Sequence, residues 1–205
     1  MKIHQVEQGS HEWLQLRNGR ITGTSLKRLL GADKKKLLAS VIASHEVGFD
    51  LDDSDSYISF DMQWGTDQEP EAQKVYEAER GIKLIKHGFC QHDTKWPFFG
   101  MSPDYDTQDS EGALEIKCPS TTTHVLTLIN KKVPKDNLTQ VLAYFLVNQN
   151  RKWIDFMSYD PRFKPQQKII IRTLRENVQP EITAIEILLD KFEIDLKNAI
   201  TDLTF

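Results

Sequence analysis

Two short segments constrain this chain more than any other stretch: Ser102-Pro103-Asp104 and, after ten intervening positions, Glu115-Ile116-Lys117. In an extended strand side chains alternate between faces, so Glu115 and Lys117 share one face while Leu114 and Ile116 turn the other way, into the core. Asp104 follows a short apolar run, Phe98-Phe99-Gly100-Met101, and precedes a loop rich in Asp, Ser and Gly. It can return alongside as the carboxylate of the neighbouring strand. The fold must then lay two strands side by side so that two acids and an amine meet.

Such a meeting suits Mg²⁺, a hard cation that binds one or two protein carboxylates, keeps several waters and shares phosphate oxygens with a substrate. The Ile116 backbone carbonyl offers a further oxygen. Lys117 would polarise or deprotonate a metal-bound water, and the outcome would be in-line attack on a phosphodiester. A Glu-x-Lys pair on a strand is also commonly a solvated face; the Pro-Asp at strand-turn-strand spacing is what favours the chemical reading.

At 205 residues the chain suits one well-buried core, and a single domain over 1–205 is expected. No apolar run approaches the length of a membrane span, and the opening residues lack the apolar core of a signal peptide, so a cytoplasmic location without membrane contact is expected. Cys90 and Cys118 are too few for a disulfide framework or a four-cysteine metal site and read as buried, inert thiols. The net charge of −4 is local, since residues 181–205 hold six acids and two bases. Residues 17–36 carry seven basic side chains against Asp33, and 131–175 carry ten against three acids. Both segments are candidates for lining a phosphate-binding groove, although solvated helix faces give similar counts.

Ser10 reads as the N-cap of a helix through Trp13, Leu14 and Leu16 that breaks at Asn18-Gly19. A short helix starting near 22–24 ends at Gly31, another spans 34–47, and the acidic stretch 50–55 reads as a surface loop. A longer helix over 61–80 ends at Gly81. Strands are expected at 82–90, 97–101, 112–117, 153–157 and 168–174, with helices near 120–129, 137–148 and 179–199. The pattern is α/β (α+β), a central mixed sheet flanked by helices.

Read in order, several of these segments resemble the lambda exonuclease family, the YqaJ-like viral recombinases among the PD-(D/E)XK nucleases. Trp13 followed by Arg17-Asn18-Gly19-Arg20-Ile21-Thr22-Gly23-Thr24 is similar to one family segment, and Gly65-Thr66-Asp67-Gln68-Glu69 to another. Ser102-Pro103-Asp104 with Leu114-Glu115-Ile116-Lys117-Cys118-Pro119 is similar to the nuclease core, and Gln140 and the Trp153-to-Pro161 stretch complete the series. The resemblance implies a restriction-endonuclease-like core in which Asp104, Glu115 and the Ile116 carbonyl bind Mg²⁺, two ions per site with Mn²⁺ as a substitute. It further implies that Lys117 handles the attacking water and that Glu69 joins from its helix through water, where an exposed helix acid is the alternative. Arg17, Thr24, Ser102 and Gln140 map to a pocket for a 5′-terminal phosphate; capping roles for Thr24 and Ser102, a surface place for Gln140 and an Arg17–Glu12 pair are the alternatives. Two departures are Thr24 in place of a commoner Ser and Tyr105 where Gly commonly follows the Pro-Asp, which leaves the turn after Asp104 undefined.

The activity so implied is Mg²⁺-dependent 5′-to-3′ digestion of linear double-stranded DNA with 5′-phosphorylated ends. It releases 5′-mononucleotides and leaves 3′ overhangs for phage-type recombination, performed by a homotrimeric ring beside a single-strand annealing protein in the host cytoplasm. A restriction- or repair-type endonuclease on the same core would need no terminal phosphate. A non-catalytic DNA-binding or assembly protein is a third class, disfavoured by the intact Asp104, Glu115 and Lys117.

Overall fold

The fold was obtained as a computed structural model, which describes residues 1–47 and 60–203; the acidic stretch 50–55 lies outside them. Among the described residues seven strands and seven helices follow one another as β1 (Lys2–His4), α1 (His11–Arg17), α2 (Leu26–Leu30), α3 (Lys34–Val47), α4 (Phe60–Arg80), β2 (Leu84–Ile85), β3 (Phe89–Gln91), β4 (Tyr105–Thr107), β5 (Gly112–Lys117), α5 (Thr121–Asn130), α6 (Lys135–Val147), β6 (Trp153–Tyr159), β7 (Lys168–Leu174) and α7 (Gln179–Leu203). The main sheet runs β2-β4-β5-β6-β7, and β1 pairs separately with β3. Of these strand pairs only β5–β6 is parallel; the crossover between them is made by α5 and α6, as a parallel pair requires.

The ends of the helices follow from local chemistry. The Ser10 hydroxyl accepts the Trp13 N–H at 3.2 Å and caps α1, while Gly19 at φ +65° turns the chain away from it. Gly81, at φ +64°, ends α4 in the same way.

Two apolar clusters sandwich the sheet. On one face Ala113, Ile154 and Phe156 pack with Val141 and Phe145 of α6, Leu26 and Leu29 of α2, and Ile182 and Leu189 of α7. On the other, Leu114, Ile116 and Met157 pack with Ala72 and Tyr76 of α4. Glu115 and Lys117 therefore share a face opposite Leu114 and Ile116, as alternation demands. That face is not solvated: Glu115 has no exposed surface, because α6 covers it.

The expected strand at 97–101 is instead a segment held by single bridges, Phe99 to Ile21 and Met101 to Cys90. The strand that flanks β5 is β4, immediately after Asp104 and inside the stretch expected to be a loop. Tyr105 begins it in extended backbone, 4% exposed, so the position usually held by glycine needs no left-handed residue here. Among the described residues no helix is long and apolar enough to cross a membrane.

Candidate active site

Antiparallel pairing of β4 with β5 sets Tyr105 opposite Leu114 and brings Asp104 beside Ile116, whose backbone N–H donates to Asp104 Oδ2 at 2.8 Å. Glu115 Oε2 accepts the Tyr144 hydroxyl at 2.6 Å, and the Tyr144 oxygen accepts the Asp104 N–H at 2.9 Å. Glu115 Oε1 is ion-paired with Lys117 Nζ, and among the described residues no other donor reaches it. The two acids and the amine predicted from the sequence thus converge.

Their protonation follows from crowding. Burial, and then repulsion from Glu115, holds the Asp104 carboxyl well above its usual range. Burial opposes the Lys117 charge, but Glu115 and Asp104 outweigh it and hold the ammonium protonated. Burial followed by the charges of Glu115 and Asp104 raises the Tyr144 phenol, which stays a neutral donor. Two acids share one lysine, and the remaining repulsion between them favours another cation.

A cleft of about 580 Å³ opens onto these groups, lined by Glu69, Asp104, Lys117, Ser120, Thr123 and Asn137 among others. Glu69 comes from α4, is a quarter exposed, and pairs with Lys86 at 2.9 Å. Among the described residues no three His, Cys, Asp or Glu side chains converge closely enough to hold a metal. Glu69 stands at the cleft wall, close enough for its charge to act on Asp104 and Lys117. Two carboxylates and a backbone carbonyl are nevertheless a donor set of hard oxygens that fits Mg²⁺, which keeps its remaining positions for water. Cys118 also lines the cleft; burial, then Glu69 and Asp104, pushes its thiol up to about 12, which leaves it inert.

Of the four residues expected around a terminal phosphate, Arg17 and Ser102 both meet Trp13. Trp13 Nε1 donates to Ser102 Oγ at 2.7 Å, and the Arg17 guanidinium lies 4.2 Å from the centre of the Trp13 ring rather than against Glu12. Gly23 is packed so that a Cβ there would lie 3.6 Å from both Gln140 Cγ and Met101 Cβ. Gly23, the residue before Thr24, thus lies between Gln140 and Met101. Thr24 is exposed and its hydroxyl shares a 3.1 Å hydrogen bond with Thr22.

Sequence reading missed Tyr144. It lies in the fully buried run Val141–Val147, where an aromatic passes for core; the available signal was its place one helical turn after Gln140 on α6. The basic count in 131–175 also changes meaning. Arg151 pairs with Asp106, Arg162 with Asp160 and Arg172 with Asp155, while Arg175 donates to the backbone carbonyls of Phe145, Asn148 and Arg151. These four arginines are engaged within the fold, whereas Lys131, Lys132 and Lys135 are exposed.

Comparison with known proteins places these observations in a family. The profile of the YqaJ-like viral recombinase domain matches residues 12–151. Among solved structures, the alkaline exonuclease LHK-Exo of Laribacter hongkongensis is 30% identical, with a TM-score of 0.81 over 95% of this chain and 96% of that one. The same enzyme in complex with dAMP is 29% identical with the same TM-score and coverage. A phage-related exonuclease from Haemophilus somnus 129PT, 15% identical, shares the fold at a TM-score of 0.61 over 93% of this chain and 99% of that one. No curated protein gave a match.

Proposed function

This chain belongs to the YqaJ-like viral recombinase family, and from that premise we propose that it is a Mg²⁺-dependent exonuclease that digests the 5′-ended strand of linear double-stranded DNA. It would release 5′-mononucleotides and leave 3′ overhangs that a strand-annealing partner uses in phage-type recombination. The single observation carrying this reading is the two-residue separation of Ser102 and Asp104. Ser102 is bonded to Trp13, over which Arg17 stacks, and Asp104 stands with Glu115 and Lys117.

Arg17 would supply a planar charged fork to a terminal phosphate, with Thr24, Ser102 and Gln140 donating to its other oxygens. The Trp13 donation occupies a lone pair of Ser102 Oγ and leaves the Ser102 proton free to donate. Asp104, Glu115 and the Ile116 carbonyl would hold Mg²⁺, with Glu69 reaching a metal-bound water from the cleft wall. Bound there, the ion would acidify a water and neutralise charge gathering on the scissile phosphate. With a cation beside Glu115 and Asp104, those carboxylates would no longer hold the Lys117 ammonium charged; it could give a proton to solvent and, as the neutral amine, accept one from the attacking water. Lys131, Lys132 and Lys135 provide unspecific attraction for the backbone. A homotrimeric ring would enclose the duplex.

The test is digestion of linear duplex bearing a 5′-phosphate or a 5′-hydroxyl, each strand labelled separately, beside covalently closed circles. The proposal expects preferential loss of the 5′-phosphorylated strand, Mg²⁺ dependence, and a preference for phosphate that disappears in Arg17→Ala. Equal cutting of closed circles would instead identify an endonuclease.

A further inference from the structure

We propose that Tyr144 is a positioning residue of the metal site, holding Glu115 and Asp104 in mutual register; the inference rests on the Mg²⁺ reading above. Its hydroxyl has one proton and two acceptors within reach, Glu115 Oε2 at 2.6 Å and the Leu114 carbonyl at 3.3 Å. The charged, closer acceptor takes it. The same oxygen accepts the Asp104 N–H at 2.9 Å, and the Ile116 N–H donates to Asp104 Oδ2 at 2.8 Å.

These three bonds join α6, the start of β4 and the end of β5 in one closed circuit. It uses one oxygen of each carboxylate and leaves the other, Glu115 Oε1 and Asp104 Oδ1, outside it. A cation would need those two oxygens, the first of which Lys117 now holds, at a fixed separation, and a buried phenol supplies that constraint more rigidly than solvent. Tyr144 is itself fully buried and its backbone carbonyl accepts Arg151 at 2.8 Å, so the hydroxyl has little freedom to drift. Tyr144 also lies one turn after Gln140 on α6, so the helix that would meet a terminal phosphate also fixes Glu115. No residue touching substrate is implied; Tyr144 acts through Glu115 and Asp104.

Removing the hydroxyl should therefore weaken metal binding by about 10- to 100-fold, the usual effect of losing a hydrogen-bond partner of a ligand. The full-length protein, free of DNA, is titrated with Mn²⁺ and free ion is read by electron paramagnetic resonance, for wild type, Asp104→Asn, Tyr144→Phe and Tyr144→p-aminophenylalanine. The expected order is tight binding by wild type, none at this site in Asp104→Asn, a rise of at least about tenfold in Kd for Tyr144→Phe, and recovery to within about threefold with the amine, which restores the donation to Glu115. At saturating DNA, Tyr144→Phe should lose kcat while KM stays within about twofold, and added Mn²⁺ should restore turnover. Wild-type affinity in Tyr144→Phe overturns the proposal. If Tyr144→Phe fails to fold, the amine variant decides alone, and a tenfold loss there overturns it. Absence of Mn²⁺ binding by wild type would sink the metal reading itself.

Discussion

Arg151→Met offers the sharpest test of how the fold supports the site. Arg151 and Asp106 both have no exposed surface. The guanidinium is ion-paired with Asp106 and donates to the Tyr144 carbonyl at 2.8 Å. Methionine keeps most of the stem volume but leaves Asp106 buried with only His87, whose Nε2 lies 3.5 Å away. Stripping one partner from a buried pair costs about 3–5 kcal/mol, because the remaining charge cannot hydrate and keeps only the more distant His87 imidazole. For a domain of this size that is a fall in Tm of about 6–20 °C. Urea unfolding at pH 7 measures it directly. A second substitution, Asp106→Asn, should restore about 2 kcal/mol when added to Arg151→Met by removing the orphaned charge, a coupling opposite in sign to simple additivity. The pH dependence has a fixed sign. Burial raises the folded Asp106 pKa even with Arg151 present, and losing Arg151 would raise it further, so between the unfolded and folded pKa values the folded state binds more protons than the unfolded state. Stability is then lost as pH rises above the unfolded carboxylate pKa, and the deficit of the variant should shrink from pH 7 to pH 5. A loss under about 1 kcal/mol, or strictly additive losses in the double variant, would refute the reasoning.

Asp104→Asn removes a carboxylate whose folded pKa is raised, while an amide oxygen still accepts the Ile116 N–H. Metal-free protein should thus become more stable at pH 7, by about 2–4 °C per kcal/mol relieved, with the gain vanishing as pH falls through the unfolded carboxylate pKa; scanning calorimetry showing a lower Tm at pH 7 contradicts this. Lys117→Met should cut turnover by at least about 100-fold while binding of 5′-phosphorylated duplex persists, so full turnover in a steady-state nuclease assay would remove Lys117 from the chemistry. Gly112→Ala would drive a Cβ into the Trp153 ring, well inside van der Waals contact, and the forced shift of β5 against β6 should cost about 1–3 kcal/mol in urea; unchanged stability would show that the strand yields freely.

Where apolar spacing decided an element, the sequence was readable. The helices around Ser10, Gly31 and Gly81, and β5, β6 and β7, follow from caps and periodicity. Strand β4 was hidden because Tyr105-Asp106-Thr107 carries a buried acid whose partner, Arg151, lies 45 residues on, and a local window cannot see that pairing. The run Phe98–Met101 misled for the opposite reason: it is buried but makes only isolated bridges. In the site, Asp104, Glu115 and Lys117 were legible because strand alternation and one return of the chain suffice to bring them together. Tyr144 was not, since its hydroxyl matters only once α6 lies over β5.

Charge balance separates the site from the rest of the interior. Among the described residues four acids have no exposed surface: Asp106, Glu115, Asp155 and Asp160. Asp106, Asp155 and Asp160 each meet an arginine, and Arg172 grips Asp155 through two bonds of 2.7 and 2.8 Å. Those pairs are closed, with their charge matched inside the fold. Glu115 alone is left to share Lys117 with Asp104, two carboxyl groups beside one amine, and that crowding is what raises the Asp104 carboxyl. A structural role would have been served by an arginine there, whose fork satisfies a carboxylate and cannot give up its proton. Lysine leaves one carboxyl group without a basic partner of its own at the mouth of a cleft and keeps a proton that a change in its surroundings can release. Of these buried acids, Glu115 is therefore the one beside which an added cation would compete with a proton.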